Sequence, residues 1–235
     1  MSWTSTTSYS WSPPPRSPRV MTSRTELIQI GIAYAVLTVD MLLILSANSF
    51  LGRGGTGAFS PVTVGTVAIA AGAALTGFVA HELAHKVTAQ RHGFWAEFRL
   101  SPFGLILSLV TAAVGFLFAA PGATLVAGIG EHDAGNWGRT SLAGPMSNLA
   151  FATAFYGASI GASYALPAWV GPLLFLAFIN AWFGTFNLVP IGPLDGAKVL
   201  RWSTAVWVLA LVGTAAATVV SYLAYFGGAG PALGL

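Results

Sequence analysis

Residues 77–86 read GFVAHELAHK, and three of them could do chemistry together. His81 and His85 are four apart, so on a helix both imidazoles project from one face, one turn above the other. That geometry lets them share one zinc ion, with Glu82 beside it as a general base. The plainer alternative is two histidines packed or hydrogen-bonded at a helix end. A catalytic zinc takes three protein ligands and keeps one position open for water, so a third ligand must come from elsewhere. His92 and His132 lie in polar connecting segments, where solvation is the expected state. Asp195 is the better candidate. It lies in NLVPIGPLDG (187–196), which ends an apolar run and contains Pro190, Gly192, Pro193 and Gly196, all breakers of a helix. Its plainer role would be to cap a turn. With Asp195 as ligand the charges balance, Zn²⁺ against the carboxylates of Asp195 and Glu82.

The rest of the chain is built for lipid. It is 55% hydrophobic and 7% charged, with a mean hydropathy of +0.73. That is too few charges to cover a water-facing surface. Ionisable residues close to hydrocarbon are costly and functional by default, which strengthens the metal reading of His81, Glu82 and His85. Broken backbone such as 187–196 is tolerated at membrane depth where it lines a protein-enclosed or watery cavity. With no cysteine, neither a disulfide framework nor a thiolate metal site is possible. The net charge of +3 comes from few residues; no basic cluster points to nucleic acid.

Residues 1–24, rich in Ser, Thr and Pro, read as a disordered cytosolic tail, and Met21 is a second candidate translation start. Apolar runs follow at about 27–47, 62–88, 103–128, 141–164, 169–189 and 203–226. Between the second and third, FWAEFRLS (94–101) alternates like a strand.

HELAH, then LAGPMSN (142–148), then NLVPIGPLDG occur in an order that resembles the site-2 protease family of intramembrane zinc metalloproteases, over about residues 62–201. The resemblance implies zinc bound by His81, His85 and Asp195, and water activated by Glu82. It implies that Asn187 stabilises an oxyanion or holds substrate. The expected substrate is a membrane-spanning protein cut within the lipid bilayer, by a single transmembrane domain over 25–235. Two departures stand out. Family members commonly have a span beyond the one that follows the aspartate motif, and no PDZ-like or nucleotide-sensing domain is seen here.

Shared ligation constrains topology. If 103–128 crossed the membrane, two further spans would put Asp195 on the face opposite His81 and His85, and bonds of about 2 Å could not reach. The segment is therefore expected to re-enter, as a helical hairpin or a small β-rich element, within an all-α polytopic fold of about five spans. Charge agrees. With a cytosolic N-terminus, Arg16, Arg19, Arg24, Lys86, Arg91, Arg99, Arg139, Lys198 and Arg201 fall inside and only Arg53 outside. The site is then expected near the cytosolic face of a prokaryotic cell membrane. Residues 94–101 could offer a strand edge to an unwound substrate, or sit at the interface with Trp95 as anchor. Asp40, a second intramembrane acid, is expected to find water or a neighbouring helix. The competing function is a metal or proton transporter using the same His/Asp site.

Overall fold

A computed structural model describes residues 20–46, 62–115, 117–118, 121–128 and 133–229. The first nineteen residues of the expected tail, Arg53 and His132 lie outside the described residues. Helices dominate: α1 (Arg24–Ser46), α2 (Val64–Ala74), α3 (Ala80–Arg91), α4 (Pro102–Ala113), α5 (Ala134–Ala165), α6 (Val170–Asn187), α7 (Asp195–Trp202) and α8 (Thr204–Ala224). Two short strands, β1 (Trp95–Leu100) and β2 (Gly122–Ala127), form an antiparallel ribbon.

Helix starts follow the local capping chemistry. Thr63 and Thr66 form a reciprocal capping box that starts α2. Ser101 accepts from the Gly104 amide with Pro102 in the first turn of α4, and Asp133 and Ser203 cap α5 and α8. Between α2 and α3 the helix widens into one π turn, Leu75–Val79, without breaking.

Four helical stretches are long and apolar enough to cross a bilayer: Arg24–Leu45, Val64–Arg91, Pro167–Asn187 and Thr204–Gly227. This is a membrane protein. The remaining expected span, 141–164, lies within α5. At 32 residues that helix is about 48 Å long, enough to cross, but it is less apolar than the other four. It packs against α3, α6, α7 and α8.

Of the two forms expected for 103–128, the small β-rich element is the one found, and no helical hairpin forms among the described residues. Those residues make one helix and then one strand, and the strand returns the chain to its starting point. Leu100, just before α4, pairs directly with Gly122, just after the loop. The 12-residue α4 is about 18 Å long, against a hydrocarbon core of about 30 Å. Asp40 of α1 is buried beside Ser108 of α4.

The outer edge of β1 is covered. The Phe98 and Leu100 amides donate to Glu26 and Gln29 of α1, both at 3.0 Å. The expectation that 94–101 offers an open edge therefore does not hold; the edge away from α1 belongs to β2.

The ribbon makes a topological prediction. Single cysteines replacing Arg91 and Ala127, both exposed, should be labelled by an impermeant thiol reagent from the same membrane face. One replacing exposed Leu166 should be labelled from the other. Labelling of Arg91→Cys and Ala127→Cys from opposite faces would exclude this return path.

Candidate metal centre

α3 carries His81 and His85 into the interior, where α7 meets it with Asp195 as its first residue. All three are buried. The Nε2 atoms of the two histidines are 3.0 Å apart, and Asp195 Oδ2 lies 3.3 Å from His81 Nε2 and 3.0 Å from His85 Nε2.

The far side of each ring fixes its orientation. His81 Nδ1 is 2.6 Å from Asn148 Oδ1, and His85 Nδ1 is 2.7 Å from the Thr140 carbonyl. Asn148 is itself oriented, because its amide nitrogen donates to the Gly77 carbonyl at 2.9 Å within the π turn. Its oxygen must then face His81. Both partners are acceptors, so each Nδ1 carries the proton and each Nε2 presents its lone pair inward. Asp195 adds a carboxylate oxygen beside both Nε2 atoms. Two lone pairs and an anion thus converge, an arrangement that needs positive charge at its centre.

A metal ion fits. Tetrahedral zinc with bonds of about 2.0–2.1 Å holds its ligands about 3.3 Å apart, close to the separations found here. The backbone leaves room on one side. A Cβ on Gly144 would lie 2.4 Å from His85 Nε2 and 2.6 Å from His81 Nε2, within the space a metal would share. Asp195 is brought close by glycine as well. A Cβ on Gly196 would meet the Leu188 carbonyl oxygen at 2.0 Å, so α7 could not fold back onto the end of α6 with any larger residue.

No family model matches the chain, and no solved structure does. Curated relatives do. Over 152 residues the chain is 38% identical to "Putative zinc metalloprotease MJ0611" of Methanocaldococcus jannaschii, an overlap of 64% of this chain and 75% of that one. The chain belongs to the site-2 protease family of zinc metalloproteases. Over 176 residues it is 31% identical to "Putative zinc metalloprotease Rip3" of Mycobacterium tuberculosis, covering 73% of this chain but only 40% of Rip3.

The other residues singled out in this site-2 protease relative fall as follows. Glu82 is buried beside the histidines, and its Oε2 accepts from both the amide and the hydroxyl of Thr124 at 2.8 Å. Asn187 lines the same pocket as His81, Glu82, His85 and Asp195, and its amide donates to the Phe183 carbonyl at 3.0 Å. His92 lies apart, its Nδ1 bonded to the Thr88 carbonyl.

Three contributors were not assigned a part from sequence: Asn148, Thr124 and Lys198, whose Nζ is 3.5 Å from Asp195 Oδ1. Asn148 ends the LAGPMSN segment, so its position was signalled though its role was not. Thr124 had no signal, being one polar residue in an apolar run.

Ligand support of the kind Asn148 gives typically governs metal affinity by 10- to 100-fold. Asn148→Ala should weaken metal binding by about that factor in equilibrium dialysis, Gly144→Val should abolish it, and His92→Ala should leave it unchanged. Full affinity in Gly144→Val would mean that the ion does not sit between these nitrogens.

Proposed function

We propose that this chain is an intramembrane zinc endopeptidase, hydrolysing peptide bonds in or near the membrane-spanning segments of protein substrates in regulated proteolysis. One observation carries the reading. A buried group able to hold a metal shares a pocket with a carboxylate that is not part of it, in a molecule otherwise made of apolar helices. Family membership lends no support to the transporter alternative.

In this reading His81, His85 and Asp195 hold one zinc per chain. When bound, zinc supplies Lewis acidity, polarising a water or a peptide carbonyl. Glu82 is the general base. Thr124 occupies only its Oε2 and no other described residue hydrogen-bonds the side chain, so Oε1 can take the proton of the attacking water and pass it to the departing amide nitrogen. The second N–H of the Asn187 amide, beyond the one given to Phe183, can donate to the developing oxyanion.

A substrate helix hides its peptide groups in its own hydrogen bonds and must unwind before attack. β2 offers the unwound stretch a partner. Gly122, Thr124 and Val126 line the pocket along the edge opposite β1, so an extended segment can add there by main-chain hydrogen bonding. α5 is proposed as the fifth span. A cytosolic N-terminus then puts the zinc site near the cytosolic face of a prokaryotic cell membrane, shallow enough for water to enter.

Glu82→Gln keeps the shape of the side chain and removes the proton acceptor. Purified in detergent with a model single-span substrate, this variant should retain about one zinc. It should lose 10²- to 10⁴-fold of its cleavage rate, the usual worth of general-base catalysis. Cleavage near the parent rate with zinc still bound would refute the mechanism.

A further inference from the structure

One buried ion pair takes no part in the metal group. Lys86, the residue after His85, is 1% exposed and pairs with Glu26 of α1, which is 0% exposed. Lys86 also donates to the Thr22 hydroxyl at 2.8 Å. Burying two charges is expensive, and such a pair rarely adds stability over apolar residues of the same shape. Its partners suggest what it does.

The second oxygen of Glu26 accepts the Phe98 amide of β1 at 3.0 Å. Phe98 is the register partner of Thr124. Thr124 is the residue that grips Glu82, and Glu82 lies one helical turn before Lys86 on α3. The contacts close into a ring: Glu82 to Thr124, across the ribbon to Phe98, to Glu26, to Lys86, and back along α3. The ribbon is thus held at one rung by two carboxylates, one on each edge, and Lys86 ties the outer carboxylate to the helix that bears the inner one. α1 is secured nearby as well. The Ser23 hydroxyl donates to Glu97 of β1, and the Gln90 side-chain amide on α3 accepts from the Met21 amide and donates to the Met21 carbonyl. The metal ligands are anchored separately, through Asn148 and Thr140 of α5.

We propose that Glu26 and Lys86 are positioning residues for the general base: they set the ribbon so that Thr124 holds Glu82 oriented toward the scissile bond. The inference rests on Glu82 being the proton acceptor. It makes the cytosolic end of α1 part of the catalytic apparatus without touching substrate or metal. Displacing α1 would turn Glu82 away while leaving the metal group intact.

Two double variants of the full chain separate this role from a merely structural one. Both remove the buried charges. Glu26→Gln/Lys86→Met keeps an oxygen for the Phe98 amide; Glu26→Leu/Lys86→Met does not. With equal metal content and unchanged KM for a single-span substrate, kcat of the Leu/Met variant should be at least about tenfold below that of the Gln/Met variant. Equal kcat in the two would overturn the proposal, as would a loss expressed in KM alone. Hydrogen exchange reads the coupling independently of activity. In Glu26→Gln/Lys86→Met both strands should stay protected, whereas in Glu26→Leu/Lys86→Met the Phe98 and Thr124 amides should lose protection together, with the helices of the metal group still protected. Loss at Phe98 alone would break the ring. Glu82→Gln, assayed in parallel, keeps the two readings apart. If it cleaves normally, the base assignment fails; if it is inactive while the doubles match, only the coupling fails.

Discussion

Everything in this molecule depends on three acceptor atoms meeting within a little over 3 Å in one buried pocket. With their Nδ1 protons turned to Asn148 and Thr140, the neutral His81 and His85 rings meet Asp195 Oδ2 lone pair first and have nothing to give it. In a low-dielectric interior such a cluster is unfavourable unless a cation joins it, and favourable once one does. The surrounding structure makes sense as the means of holding that cluster together. Asn148 and Thr140 pin the rings from behind. The π turn places the Gly77 carbonyl where Asn148 can use it. Gly144 leaves the cation's side open, and Gly196 lets α7 fold tightly enough for Asp195 to arrive.

α3 has to serve two faces at once. Residues 81 and 85 face α5 and α7; residues 82 and 86, about 100° round the helix, face the ribbon and α1. The sequence HELAHK thus encodes two adjacent stripes one turn long, the first carrying ligand atoms and the second a carboxylate and a lysine. Both stripes are buried, so no polar group on this stretch of helix is left over for solvent. That explains how so polar a sequence can end an apolar helix.

What could be read in advance follows from how locally each feature is encoded. The two histidines and Glu82 were legible because ligation by a helix demands a spacing of four, and polar residues in an apolar chain stand out. Asp195 was legible because proline and glycine announce the broken backbone around it. Asn148 was visible only as part of a motif, since its partner lies 67 residues away. Lys86 misled. It counted as one more positive charge at a helix end, and nothing local reveals that Glu26, 60 residues earlier, buries it. β2 was concealed differently. GATLVA sits in a run apolar enough to pass for a helix, and only its pairing with β1 makes it a strand.

The ribbon poses a physical problem that bears on how the protein would work. Open strand edges do not survive in hydrocarbon, because each unpaired backbone group there costs several kcal/mol. One edge is covered, since Glu26 and Gln29 take the outward amides of Phe98 and Leu100. Along the pocket edge of β2, only the Thr124 amide is bonded to a side chain among the described residues, and that side chain is Glu82. The edge is kept short and faces the pocket that holds His81, Glu82, His85 and Asp195 rather than lipid, which makes it tolerable empty. Its remaining groups are then best satisfied by another extended backbone. A helix passing by could not satisfy them, because its own groups are already paired. Under the proposed endopeptidase function the edge would therefore discriminate by conformation before any side chain is read. It would favour segments that unwind easily and present them beside Glu82, to which it is already bonded.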